Sequence, residues 1–207
     1  MNTKLRILDA ALTLFSEKGY HTVSVAQIAD AVGIKAPSLY KHYKSKRDIF
    51  DTILLEMQTR YNNQANTLQM NGSNATADAG IFSSVSEDTL IQMGIGLFSY
   101  FLHDDYVRRF RKMLTIEQFH DSELSALYTK QYTDDPLSYQ GQIFSILGAC
   151  GLFRPANADV MALHFYAPLY LLLTLCDREP EREPEALRLL EQHIRHFNQI
   201  YKKENTQ

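Results

Sequence analysis

The chain has 207 residues, 45% apolar and 22% charged, with nine Gly, six Pro and two Cys. That length gives one large domain or two small ones with a buried core, and the balance excludes a mostly disordered, a collagen-like or a disulfide-rich secreted chain. Net charge is −3 but uneven: residues 1–48 hold eight cations and four anions, the remainder 13 and 20. A basic head on an acidic body suits one end to a polyanion.

Leu5, Leu8, Leu12 and Phe15 recur at helical spacing and predict a first helix. Thr3 is its candidate cap, and Gly19 closes it in a left-handed conformation. Asp9 and Glu17 interrupt this only early apolar stretch, so no secretory leader is expected. Ser24-Val25-Ala26-Gln27 is a capping box opening a short helix with Val25, Ile28, Ala29 and Val32 on one face, ended by Gly33. Pro37 suits the first turn of a third helix with Ala36 as its weak cap, and Leu39 and Tyr43 share its inner face. Ser45-Lys46-Arg47-Asp48 starts a longer helix that runs past Tyr61.

Residues 62–84 hold five Asn and two Gly and read as a mobile connection. Asn71-Gly72-Ser73 and Asn74-Ala75-Thr76 match the glycosylation pattern, which without a leader means only a polar loop. Helical period resumes at Ile91, Ile95, Phe98, Phe101 and Leu102, and continues over about 104–118, 121–133, 136–152, 157–177 and 184–203. The apolar run Val160–Cys176 is 17 residues long. A span needs about 20, so it reads as a buried helix, kinked at Pro168. There is no strand signal and no repeat, so the class is all-α.

The last helix places Leu187, Leu190, Ile194, Phe197 and Tyr201 at 3-4-3-4 spacing, widened by Ala186, Leu189 and Ile200. The stripe is a homodimer interface or intramolecular burial, and the dimer is the economical reading. Cys150 and Cys176 lack CxxC spacing and read as buried thiols. His193 and His196 are too few for a metal site and flank the seam. Arg108-Arg109-Phe110-Arg111-Lys112 reads as a solvated face, and Asp104-Asp105 and Asp134-Asp135 as helix-dipole partners rather than acid/base pairs. No nucleophile, metal or nucleotide motif occurs, so no catalytic residue, metal or cofactor is expected.

Three short helices with a tight glycine break in the first 48 residues form the pattern of a helix-turn-helix. Leu8, Leu12, Phe15, Ile28, Ala29 and Leu39 would hold it, leaving the third helix for a major groove and the second helix's free amides for a phosphate.

The run from Ile7 to Tyr20, Ser24-Val25-Ala26-Gln27-Ile28-Ala29, Val32-Gly33-Ile34 and Leu39-Tyr40-Lys41-His42-Tyr43-Lys44-Ser45-Lys46 resemble the TetR/AcrR-type bacterial transcriptional regulators. The likeness is continuous over about residues 4–50, and beyond residue 60 only length and helical character resemble the family. The resemblance implies an N-terminal helix-turn-helix domain, 1–46, and a larger helical effector-binding and dimerisation domain, 47–207. It implies phosphate contacts from Ser24, Tyr40, His42 and Lys46. Lys35, Ala36, Pro37, Ser38 and Lys41 then lie at positions that vary in the family and reach base edges or nearby phosphates. Ala36 could offer only a thymine methyl contact.

The function so implied is a cytoplasmic, non-enzymatic regulator of transcription, a repressor that binds a palindromic double-stranded operator as a homodimer and is released by a small-molecule effector. No membrane partner is expected. Met93, Phe98, Phe101, Met113, Phe119, Tyr128, Tyr132 and Phe144 are candidate lining residues for the effector, and serve equally well as core. The alternatives are a helical small-molecule-binding protein or enzyme with an ancillary head, and a DNA binder with no effector.

Overall fold

The computed structural model describes residues 2–68, 70–72 and 74–203. The order is α1 (Thr3–Lys18), α2 (Val25–Val32), α3 (Ala36–Leu39), α4 (Lys46–Thr67), α5 (Ala75–Ser84), α6 (Glu87–His103), α7 (Asp105–Glu117), α8 (Ser122–Thr129), a π-helical turn (Lys130–Asp134), α9 (Asp135–Ala149), α10 (Ala158–Arg178), a 3-10 turn (Pro180–Arg182) and α11 (Glu183–Tyr201). The described residues hold no strand, only an isolated bridge between Phe153 and Lys202. Packing divides the chain into two units. The first is Met1–Tyr61 with Asp104–Thr129, the second Asn62–His103 with Lys130–Gln207. The boundary after residue 46 is therefore not a packing boundary, because the first part of α4, α7 and α8 pack with the head.

In the first unit the inner faces of α1, α2, α3 and α4 supply Leu8, Leu12, Phe15, Ile28, Leu39, Ile49, Phe50 and Ile53, all buried. Each such side chain contributes roughly 1.5–3 kcal/mol by leaving water. α7 lays Val107, Phe110, Met113 and Leu114 against this core, and α1 and α7 pack extensively.

The second unit has two apolar clusters. Ile143, Phe144 and Leu147 of α9 meet Phe153, Met161 and Phe197 in one, with Ala75 and Ala79 of α5. Ile91, Phe98 and Leu102 of α6 meet Leu172, Leu173 and Cys176 of α10 and Ala186, Leu190 and Ile194 of α11 in the other.

Several expectations are corrected here. The cap of α1 is Asn2, not Thr3; its side chain accepts from the Lys4 amide. The cap of α3 is Lys35 rather than Ala36, and makes no side-chain bond. Of the two thiols expected to be buried, Cys176 is, while Cys150 is exposed because it lies at the C-terminal end of α9. Residues 62–84 are mostly helical. α4 runs on to Thr67 because Ala65 is a buried anchor, and extending a formed helix costs little. The following bend is fixed by the fully buried Asp78, whose carboxylate accepts from the Asn71 and Gly72 amides and the Tyr139 hydroxyl. Ser73, part of one glycosylation pattern, lies outside the described residues.

The seam of α11 turns inward. Leu190, Ile194 and Phe197 are buried within their own chain, and Leu187 and Tyr201 are half-buried. α6, α9 and α10 supply the apolar surface that the 3-4 stripe requires, so these five residues are core rather than an open interface. α10 is only half a buried helix. It is long and apolar enough to cross a membrane by length and composition. One face packs on α6, α9 and α11, and the other exposes Val160, Leu163 and Leu171.

The candidate lining residues are divided between the units. Phe98, Tyr132 and Phe144 are buried in the second, with Met93 and Phe101 half-buried there. Met113 and Tyr128 belong to the first, Met113 on the buried face of α7. Phe119 is 86% exposed on the turn after α7. An open groove of about 420 Å³ lies between α9 and α10, and of the eight only Phe144 lines it. Pro168 does not reach it either, because its floor is set about two turns earlier on α10, at Met161.

Candidate nucleic-acid interface

The head is positioned by its helix ends. Gly19 closes α1 with φ +83°, its amide bonded to the Phe15 carbonyl. The positive φ favours glycine, and a Cβ there would lie 2.5 Å from Glu117 Oε1, so a side chain would have to displace that carboxylate. The capping box of α2 is complete: Gln27 N donates to Ser24 Oγ, and Ser24 N donates to Gln27 Oε1 at 2.7 Å. Gly33 ends α2 in the left-handed region. A second reciprocal cap opens α4, where Asp48 N donates to Ser45 Oγ at 3.0 Å and Lys44 N to Asp48 Oδ2 at 2.8 Å.

Between these caps, α3 and the turn after it form one short helical run. The Leu39 carbonyl accepts from His42 N and Tyr43 N, continuing the coil beyond Leu39. Leu39 and Tyr43 point inward, buried, and Tyr43 Oη donates to the Lys4 carbonyl. That orientation turns the others out. Lys35, Pro37, Tyr40 and Lys41 are exposed, Tyr40 by 53%; Ala36, Ser38 and His42 are half-buried. Ser24 is exposed at the start of α2. Eight of the nine predicted DNA-contact residues are thus brought to the α2 start and the α3 run, with cations at Lys35 and Lys41.

Lys46 is the exception. Its ammonium donates to the carbonyls of Tyr20 at 2.8 Å and Val23 at 2.9 Å, and lies 4.4 Å from the centre of the Tyr20 ring. Burial lowers its proton affinity, and the nearby Glu117 carboxylate partly restores it. Lys46 therefore fixes the turn between α1 and α2, which carries Ser24.

The sequence reading missed the residues that brace this turn from α7 and α8. Glu117 is buried and accepts from the His21 amide at 3.1 Å. Asp121 accepts from the Leu124 amide and lies 2.6 Å from His21 Nε2, contacts that hold its carboxyl below the usual range. Arg109, expected on a solvated face, joins α7 to α1 through Asp9 at 2.9 Å and Thr13 at 2.7 Å. Arg111 is buried. No local signal marks these residues, since their partners lie 96 to 100 positions away. Asp104 is the expected cap, accepting from Val107 N.

Residues 7–53 match the profile of the bacterial regulatory proteins of the tetR family. Over that segment the chain is similar to the tetR family. The biofilm operon icaADBC HTH-type negative transcriptional regulator IcaR of Staphylococcus aureus is 41% identical over 76 residues, 37% of this chain and 40% of the relative. The chain thus matches about two-fifths of the length of this curated relative. A Mesorhizobium loti structure described as a TetR-family transcriptional regulator superposes with TM-score 0.66 at 19% identity, over 97% of each chain. SmeT, the repressor of the Stenotrophomonas maltophilia multidrug efflux pump SmeDEF, gives 0.64 at 19% identity over 99% and 93%; its triclosan complex gives 0.63 at 17% identity over 99% and 94%. The fold of these structures thus extends over the whole chain, while sequence likeness is concentrated in the head.

Proposed function

We propose that the protein is a repressor of transcription that binds a palindromic double-stranded operator as a homodimer and is released by a small-molecule effector. The observation that carries this is the α3 run, set between the capped starts of α2 and α4 and turned outward with Lys35, Tyr40 and Lys41 exposed. Lys35, Ala36, Pro37, Ser38 and Lys41 approach base edges in a major groove, while Ser24, Tyr40 and His42 hold phosphates and fix the register. Lys46 acts at one remove, by holding the turn. Residues 1–46 are the DNA-reading part, and 47–207 carry effector binding and dimerisation.

The names of the relative and the neighbour, a negative regulator and a repressor, support repression over activation. The triclosan complex of SmeT supports a small-molecule effector. The α9–α10 groove and the apolar side chains of the second unit, Met93, Phe98, Phe101, Tyr132 and Phe144, are where that effector is sought. The protein acts in the cytoplasm and catalyses no reaction.

Selection from a random duplex pool tests the reading. A palindromic site should emerge, and Lys41→Ala should weaken it while flattening the dependence of log K on log salt by about one unit. Recovery of no preferred sequence, or an unaltered Lys41→Ala variant, would overturn it.

A further inference from the structure

The groove of about 420 Å³ between α9 and α10 has an apolar floor and a charged mouth. Phe144 and Met161 form the floor, both buried, and the Phe144 ring packs on Phe153, Phe165 and Phe197. Gly148 keeps the space above them open. It shares a face of α9 with Phe144, four positions before it, and has no positive φ that would require glycine. A Cβ built on Gly148 meets nothing within 4 Å. Glycine weakens a helix relative to alanine, so what this residue contributes is room. An apolar cavity of about 150 Å³ takes one benzene ring, so this open groove has space for roughly two fused rings or an alkyl body of equal bulk.

The sign of the charge at the mouth is set by Arg154. It is the one charged residue among the described residues that line the groove, where the Ser145 hydroxyl is the other polar side chain. The main chain of Arg154 is held: its amide donates to the Tyr201 carbonyl at 2.7 Å, beside the bridge between Phe153 and Lys202. Its side chain is thus presented, exposed, from a fixed base. Two helix ends also meet here. α9 ends with a partial negative charge and α10 starts with a partial positive one, so the two offset each other. The carbonyls of Leu147 and Gly148 already accept from the amides of Leu152 and Gly151, and Asn157 Oδ1 accepts from the amides of Asp159 and Val160. The Asp159 carboxylate faces Gly141, about two turns before Gly148 on α9, where its Oδ1 lies 3.2 Å from the place of a Cβ.

We propose that this groove binds an organic acid, with an apolar body of roughly two rings on Phe144 and Met161 and its carboxylate paired with Arg154. This deepens the effector reading above, on which the role of the bound acid rests, by naming the chemical class of the effector. A planar guanidinium meets a carboxylate in two parallel hydrogen bonds. Burial of the apolar body drives binding, and the ion pair at an open rim adds selectivity of no more than about fivefold. A neutral body of the same bulk forgoes that pair, and a cationic one meets a like charge.

Titration calorimetry of the full chain at pH 7.5 with 2-naphthoate and its neutral counterpart 2-naphthamide tests the proposal. The acid should bind, and Arg154→Gln should shift the ratio of acid to amide affinity by about three- to fivefold toward the amide. Gly148→Leu fills the open space from a position where a side chain meets no neighbour, and should abolish binding of both compounds without loss of helicity or melting temperature. An acid that does not bind the parent, a ratio that Arg154→Gln leaves unchanged, or a Gly148→Leu variant that binds like the parent would overturn the proposal. The selected operator supplies the separate arm. The acid should weaken its binding by the parent and not by Gly148→Leu. Acid bound in the groove at unchanged operator affinity would leave the site standing and overturn the effector reading.

Discussion

In the head, polar side chains carry much of the structural argument. Ser24, Ser45 and Asp48 cap helices, Lys46 and Glu117 hold one turn from two sides, and Arg109 joins α1 to α7. In the second unit the weight falls on apolar surface: two clusters on either side of Phe165, and beyond them the bare face of α10. Caps and turns are local, so the head is specified by short sequence patterns. A helix with two apolar faces is ambiguous until its neighbours are known, so the face assignments of α10 and α11 in the second unit fail.

The largest expected effect separates the inner stripe of α11 from the outer stripe of α10. Phe197→Asp buries an unpaired charge in a packed cluster and should cost several kcal/mol, enough to abolish cooperative unfolding. Leu171→Glu, on the exposed face, should leave the melting curve of the monomer unit nearly unchanged and abolish the dimer in sedimentation. If Phe197→Asp instead folds normally as a monomer, α11 is the interface after all.

That pair also shows why one stripe was misread. The 3-4-3-4 spacing of Leu187 to Tyr201 is what a partner helix requires, but spacing does not say whether that partner is in the same chain. Here α6, α9 and α10 supply it. The outer stripe at Val160, Leu163, Ala167 and Leu171 was hidden because it lies in a run apolar all around, which shows no period. By contrast the boundaries of α2 and the inward Leu39–Tyr43 pair were legible, because each signal lies within four residues of its partner. Glu117, Asp121 and Arg109 were not legible, because they act on α1 and its following turn from about 100 positions away.

Next in size are the residues that brace the head. Gly19→Ala must strain a positive φ and displace the Glu117 carboxylate, at about 1–3 kcal/mol by thermal melting. Glu117→Ala removes the acceptor of the His21 amide and should cost about 1–3 kcal/mol. Lys46→Ala should lower stability and DNA affinity together, whereas Lys41→Ala should lower affinity alone. A Lys46→Ala variant of unaltered stability would return Lys46 to the role of a simple phosphate contact. The smallest effect is at the cap, where Ser24→Ala should cost about 1 kcal/mol in melting.

Hydroxyl-radical footprinting of the selected operator tests most directly the claim that two copies of the α3 run read DNA. Two protected patches should appear on one face of the duplex, with their major grooves about 34–36 Å apart, one helical turn or a multiple of it, and Leu171→Glu should remove both at concentrations where the parent protects them. A single patch, or a double patch that survives in Leu171→Glu while that variant sediments as a monomer, would contradict the account.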